Sequence, residues 1–413
     1  MNFASACLAT LCLTVLGGLT LAAQPPLLVP NVVHPFLAHP RAQRVATDGQ
    51  RVFILHDGRL RSLDPALTRT AWSIPLKSYG GLTVGEGLVV VDNGFNALTA
   101  FDAATGRERW KTAAPRSLTW GGAAPVQTPL TRLQVTQGTV LAASSNDVQA
   151  WEARTGKRLW KVGASDPSWL GASANTAVFT ARSGIDGYLK AVNLRDGKER
   201  WTTGKAFVGE VLSENEGGAY LYALQRYSSR PRLQLIDSRT GQNVVVEYTF
   251  PEWTNVSALL QRETLCAAGT VKGRYHVACL PRRAGKYVSG DRKLLEVLKH
   301  TPVGPAPWEH QVRQMIRTQS GSWLLGGRHA IKVQLPAAYS GCGNVLNFSQ
   351  AGRFAVVKVQ CGQGKGRIAV IDQQTAKVAA MVLAHGEVTD ALLAGNRMII
   401  VTDRDVLSVP QPR

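Results

Sequence analysis

The sequence predicts an all-β ring of four-stranded antiparallel sheets, a β-propeller. Three observations carry that prediction. The first is a recurring phrase: Phe101-Asp102-Ala103-Ala104-Thr105-Gly106-Arg107-Glu108-Arg109-Trp110, Trp151-Glu152-Ala153-Arg154-Thr155-Gly156-Lys157-Arg158-Leu159-Trp160, and Val192-Asn193-Leu194-Arg195-Asp196-Gly197-Lys198-Glu199-Arg200-Trp201. The second is its spacing. Aligning the chain on the acid or amide that ends a strand gives Asp64, Asp102, Glu152, Asn193, Asp237, Pro281, Gln334 and Asp372, with a last hairpin ending near Val409; intervals run from 37 residues (372 to 409) to 53 (281 to 334). A unit of roughly 40 to 50 residues suits one propeller blade and is too long for a leucine-rich repeat. The third is the absence of a helical period beyond Arg51, where runs such as Val52-Phe53-Ile54-Leu55-His56-Asp57-Gly58-Arg59-Leu60-Arg61-Ser62-Leu63 alternate β-rich segments with Gly, Asn or Asp turns.

Taken in order, residues 1–23 carry no charged side chain and run through Leu8, Leu11, Leu13, Val15, Leu16, Leu19 and Leu21 to Ala22-Ala23, which reads as an export signal cut after Ala22 or Ala23. No later stretch approaches the ~18 apolar residues of a spanning helix. Residues 24–40 form a Pro-rich lead, with Pro25, Pro26, Pro30, Pro35 and Pro40 around Leu27-Leu28-Val29. Residues 41–413 show no linker and are expected to be one domain. Closing such a ring usually requires the last blade to borrow a strand from the other terminus. The chain stops just after Val406-Leu407-Ser408-Val409, so the outer strand is expected from Leu27 to Val33, which would also cover an exposed edge.

Within each phrase the acid or amide ends one strand, and its oxygen is placed to accept from backbone amides of the turn, as is the Thr hydroxyl. Gly106, Gly156, Gly197 and Gly241 lie four positions later, where a tight turn followed by a bulge calls for positive φ. Eight positions after the anchor stand Trp72, Trp110, Trp160 and Trp201. A large flat ring there covers the neighbouring sheet and buries roughly 150 to 250 Å². The motif is read as a corner and an inter-blade clamp.

Of six cysteines, Cys7 and Cys12 fall in the signal, leaving Cys266, Cys279, Cys342 and Cys361. A hairpin turning at Lys272-Gly273 puts Cys266 opposite Cys279, and one turning at Ala351-Gly352 puts Cys342 opposite Cys361. Directly opposed residues of antiparallel strands come within reach of a disulfide, and an exported chain allows one. Two local disulfides are expected, four free thiols or a swapped pairing being the alternative. The net charge of +19, from 47 Lys and Arg against 28 acids, favours anionic partners. Export makes nucleic acid the least suited of these and leaves phospholipid headgroups or acidic wall polymers.

The pattern of apolar residue, Asp, two variable residues, Thr-Gly, three variable residues and Trp resembles the repeat of pyrroloquinoline-quinone (PQQ)-like β-propellers. It is clearest from Asp48 to Trp201, legible at Leu235-Ile236-Asp237-Ser238-Arg239-Thr240-Gly241 and Ala369-Val370-Ile371-Asp372, and eroded between. In length the chain is similar to the propeller lipoproteins of the outer-membrane β-barrel assembly machinery, which bind partner proteins and are not enzymes. That resemblance implies eight blades, against nine hairpins counted; eight is the expectation and nine the alternative. Two departures matter. No Cys follows Ala23, so no lipid anchor is expected. The adjacent Cys-Cys pair of the quinone-dependent alcohol dehydrogenases is missing, and no catalytic Asp or calcium ligand can be matched, so no cofactor is expected although the family name raises PQQ.

A search for chemistry finds no His pair at zinc-helix spacing, no Gly-x-Ser-x-Gly elbow and no Asp-rich calcium loop. Gly362-Gln363-Gly364-Lys365-Gly366 lies between two strands and reads as a hairpin turn rather than a phosphate loop. One constellation remains. Past each clamp Trp an aromatic sits among small residues: Tyr79, Trp120, Trp169 and Phe207, then Trp253 and the displaced Trp308. These positions fall where the chain crosses between blades. With Arg116, Arg132, Arg182 and Lys205 nearby they would form a docking surface for a peptide, polymer or extended strand; the competing reading has them close the channel and pack between inner strands. The function expected is an exported, non-catalytic binding scaffold of the cell envelope, monomeric, docking proteins or anionic envelope polymers. The alternatives are a quinone-dependent dehydrogenase or other propeller enzyme, and an acidic-polysaccharide-binding propeller.

Overall fold

The computed structural model describes residues 27–28, 30–33, 44–76, 81–92, 97–113, 132–167, 170–173, 175–183, 186–203, 211–213, 220–225, 232–237, 239–249, 254–261, 264–271, 274–283, 286–287, 293–298, 314–318, 321–326, 329–333, 348–361, 365–384, 386 and 388–412. Every regular element among them is a strand. The strands sort into nine sheets in chain order, spanning residues 45–75, 82–113, 132–163, 170–202, 211–249, 254–298, 314–333, 348–383 and 388–410. Nine sheets among the described residues stand beside nine hairpin anchors in the sequence and the eight blades expected from the family resemblance.

The third sheet shows why these residues make a blade. Arg132–Thr136, Thr139–Ala143, Asp147–Glu152 and Arg158–Gly163 pair antiparallel in that order. Successive side chains of a strand point to opposite faces. Leu141, Ala143, Val148 and Ala150 therefore join one cluster with Ala177 and Phe179 of the fourth sheet, while Val140, Ala142 and Trp151 join another with Val90, Leu98 and Ala100 of the second. The two middle strands are buried along almost their whole length because both faces are covered. The outermost strand alternates exposed and buried positions.

The core is thus a series of apolar layers between neighbouring sheets. First meets second around Phe53, Leu60, Val89 and Phe101; fourth meets fifth around Val178, Leu189, Trp201 and Ile236; eighth meets ninth around Phe354, Val370, Met398 and Ile400. A further layer joins Ala394, Ile399, Val401 and Val406 of the ninth sheet to Val45, Val52, Ile54 and Leu63 of the first, bringing the two ends of the array together.

The N-terminal lead supplies the missing strand, but not as one piece. Asn31–Val33 pairs antiparallel with Val406–Pro410, with Asn31 opposite Ser408 and Val33 opposite Val406. Leu27–Leu28 instead pairs parallel with the outer strand of the eighth sheet, Leu27 opposite Met381. Pro30 divides the two: with no N–H and a fixed φ it cannot continue a ladder, and the chain steps from the edge of one sheet to the edge of the next.

Candidate functional site

Up-and-down connectivity gives the ring two ends. In the sheets that carry the recurring phrase, it forms the turn between the third and fourth strands and lies at one end; crossings between sheets lie at the other. At the phrase end the anchor acids do what their chemistry predicts. Asp102 Oδ1 accepts from the Ala104 and Thr105 amides at 3.1 and 2.9 Å and from the Thr105 hydroxyl at 2.9 Å, while Arg109 donates to Oδ2 at 2.6 Å. These bonds, that of Arg109 foremost, hold the Asp102 carboxyl down to about 2. Asp64 accepts from the Thr68 and Arg69 amides, Asn193 from Arg195 and Asp237 from Arg239. The Asp237 carboxyl is likewise lowered, chiefly by the Arg239 side chain.

The next strand then slips by one residue. Glu108 sits opposite Phe101 but Trp110 opposite Ala100, and the same shift precedes Trp72, Trp160 and Trp201. The bulge turns each indole toward the following blade. Trp110 Nε1 donates to the Ala153 carbonyl at 2.7 Å, Trp160 to Leu194 at 2.8 Å and Trp72 to Ala103 at 3.1 Å. In every case the acceptor stands one residue past the next blade's anchor. The ring lies against that blade's glycine. At Gly156, φ +71°, a Cβ would fall 2.6 Å from Trp110 Cδ2, and Gly106, Gly197 and Gly241 meet Trp72, Trp160 and Trp201 as closely. Glycine is required there twice, by backbone and by neighbour. The motif's acid, glycine and tryptophan are thus committed to the fold.

The six aromatics Tyr79, Trp120, Trp169, Phe207, Trp253 and Trp308 lie outside the described residues, as do Arg116 and Lys205. Arg132 opens the inner strand of the third sheet at the crossing end. Arg182 is brought to the crossing that leads to Trp169: its amide donates to Ser165 O, and its guanidinium stands 3.3 Å from Asp166. Among the described residues no group of three or more His, Cys, Asp or Glu could hold a metal. Lys365 and Gly366 belong to a strand paired antiparallel with Phe354–Cys361, the hairpin geometry expected of that glycine-rich stretch.

Cys266 lies directly opposite Cys279 in the sixth sheet. The second pairing meets a different register. The turn falls at Gly352-Arg353, so Phe348 faces Val357 and Ala351 faces Phe354, two residues out from the alignment that would oppose Cys342 and Cys361. Ala351 is buried, so it stays in the strand, and Gly352 with φ +57° takes the first turn position. Cys342 lies outside the described residues. A feature passed over in the sequence also emerges here. The residue five positions past the anchor is Arg69, Arg107, Lys157, Lys198 and, in the eighth sheet, Lys377, every one exposed at the phrase end. Aligning the phrases on their acids would have revealed it.

Repeated corner, bulge and clamp define the chain as a PQQ-like β-propeller. The family model described as "Outer membrane protein assembly factor BamB" matches residues 56–285, more than half of the chain, and the chain belongs to that family. It is 28% identical over 183 residues to the outer membrane protein assembly factor BamB of Nitrosomonas eutropha, covering 42% of this chain and 40% of that one. It is 32% identical over 154 residues to the serine/threonine-protein kinase AfsK of Streptomyces coelicolor, covering 30% of this chain and 19% of the kinase. The aligned part thus spans well under half of either relative. Among solved structures, BamB from Moraxella catarrhalis superposes with a TM-score of 0.51 at 17% identity, over 92% of this chain and 97% of that one. A quinohemoprotein alcohol dehydrogenase from Pseudomonas putida superposes with 0.52 at 12%, over 93% and 76%. At such identities these likenesses describe the fold alone.

Proposed function

We propose that the protein is an exported, non-catalytic scaffold of the cell envelope that holds protein partners during assembly of outer-membrane proteins. The observation that carries this reading is membership of the assembly-factor family across residues 56–285. The commitment of the phrase residues to turns and clamps supports it, since the one motif that recurs through the chain is used in architecture. Residues 1–23 act in this reading as a removable leader, no lipid is attached, and the crossing end with its aromatics receives the partner. Deleting the gene in its native host and measuring folded, heat-modifiable β-barrel proteins in the outer membrane tests it. Their level should fall and recover on complementation, and unchanged levels would overturn the proposal.

The reading takes no cofactor. The alcohol dehydrogenase shares the fold at 12% identity, which gives no support to a shared activity. Adding PQQ with calcium should leave the melting temperature unchanged, and a concentration-dependent rise would reinstate the enzyme.

A further inference from the structure

We propose that the phrase end of the ring is a docking face for an anionic membrane surface, held by Arg69, Arg107, Lys157, Lys198 and Lys377. Four of the five close their own turn through the backbone: the anchor amides of Asp64, Asp102, Glu152 and Asn193 donate to the carbonyls of Arg69, Arg107, Lys157 and Lys198 at 2.8 to 2.9 Å. That bond puts no demand on the side chain, so the fold does not explain a cation at each of these positions. All five side chains are exposed, and among the described residues none forms a salt bridge; Arg69 alone has an acid near it, the Asp64 carboxyl that it helps to lower. Exposed Arg195 and Arg200 add to the field on the fourth sheet.

Acids at the same end are already engaged. Asp48 holds Arg51, Asp102 holds Arg109, Asp237 holds Arg239 and Glu199 holds Lys190; Glu86 accepts from the Gly138 amide, and the exposed Glu108 and Asp196, with Asp64 beside Arg69, carry the remaining negative charge. The net positive field therefore survives locally. Its layout selects the occupant. The five cations stand at equivalent points on the eighth sheet and the first four, along an arc at one end of the ring that runs through the closure. An extended acidic peptide would meet two or three of them, whereas a planar array of lipid phosphates meets all five. Each basic residue near an anionic bilayer adds about 1 kcal/mol, and the attraction fades within a Debye length.

The proposal goes beyond the assembly reading, and its test uses no protein partner, so the two fail separately. The full mature chain is sedimented with vesicles of phosphatidylcholine alone and with phosphatidylglycerol added. Binding should require the anionic lipid and weaken as salt rises. A variant with R69Q, R107Q, K157Q, K198Q and K377Q should bind roughly a thousandfold more weakly or worse. A control with R59Q, K111Q, R367Q and R404Q, which removes four positive charges from the half of the ring nearer the crossing end, should bind nearly as the unaltered protein. Circular dichroism and melting temperature verify that both variants fold; if the five-fold variant does not, single charge reversals such as R107E and K157E replace it. Equal loss in both sets would assign the binding to net charge and overturn the proposal. So would equal binding to both lipids, or binding to polyglutamate with none to vesicles.

Discussion

Replacing Gly156 by Ala tests the clamp at its tightest point. Gly156 has φ +71°, and a Cβ there would lie 2.6 to 2.9 Å from Cδ2, Cε3 and Cγ of Trp110. A left-handed conformation costs a residue with a Cβ about 1 to 2 kcal/mol. Driving a methyl into a packed ring adds about 1 to 3 kcal/mol, and the lost flexibility of the unfolded chain returns about 0.4 to 1 kcal/mol. Gly156→Ala should therefore destabilise by about 2 to 4 kcal/mol. Gly138 is the internal reference, because it has φ +73° with nothing within 4 Å of its would-be Cβ; Gly138→Ala should cost about 1 kcal/mol. Urea unfolding with the slope checked for constancy measures both. In a Trp110→Ala background the methyl finds space, so Gly156→Ala should then cost no more than Gly138→Ala, a coupling of about 1 to 3 kcal/mol. Equal costs at Gly156 and Gly138, or additivity with Trp110→Ala, would refute the clamp.

Three other outcomes follow. Ala376, four residues past Asp372, sits at φ +58° where the phrases have glycine, so Ala376→Gly should stabilise by about 0.5 to 1 kcal/mol and raise the melting temperature. The Asp102 carboxyl is depressed in the fold to about 2 from 3.8; its contribution is present above the unfolded value and lost as pH falls from about 4 toward 2. Asp102→Asn should accordingly flatten the stability profile in that window, as read from unfolding at stepped pH. Cys266 and Cys279 face each other across one ladder, so intact mass under non-reducing conditions should show two hydrogens lost for that pair. Reduction should cost about 3 kcal/mol for a loop of that size, and full alkylation without reductant would exclude the bond.

The sequence made the corner and the clamp legible because each is local chemistry repeated at constant spacing: an acid, a hydroxyl, a glycine and a ring within eight residues. The facing pair Cys266 and Cys279 was legible for the same reason, since the register follows from the hairpin's centre, with Val271 opposite Arg274. At Gly352 the same reasoning slipped. Both Ala351-Gly352 and Gly352-Arg353 are acceptable turns, and the choice is made by burial of Ala351 and Phe354 against the ninth sheet, which no local pattern reveals. The N-terminal lead was legible as a closing strand; its division between two sheets depends on where the edges of the eighth and ninth sheets lie. The aromatics Trp120 and Trp169 rest on sequence spacing alone and lie outside the described residues.

Ring closure explains why the clamp is absent where the ends meet. Indoles donate to the carbonyl one residue past the next anchor at Ala103, Ala153 and Leu194. In the first sheet that carbonyl belongs to Pro65, and the blade before it takes its outer strand from the N-terminal lead, so no phrase and no Trp precede it. Ser408 Oγ donates to Pro65 O at 2.6 Å instead, with Asn31 Nδ2 donating to Ala66 O at 2.9 Å beside it and Arg397 holding Ser408. The acceptor position is the same in these four blades while the donor changes. A hydroxyl and an amide bury far less apolar surface than an indole, so this seam depends on the Val45, Ile54, Ile399 and Val401 layer and on three ladder pairs from Asn31–Val33. Residues of the Pro-rich lead therefore help to hold a joint that has no indole, whereas Trp72, Trp110 and Trp160 clamp the joints between the first four sheets.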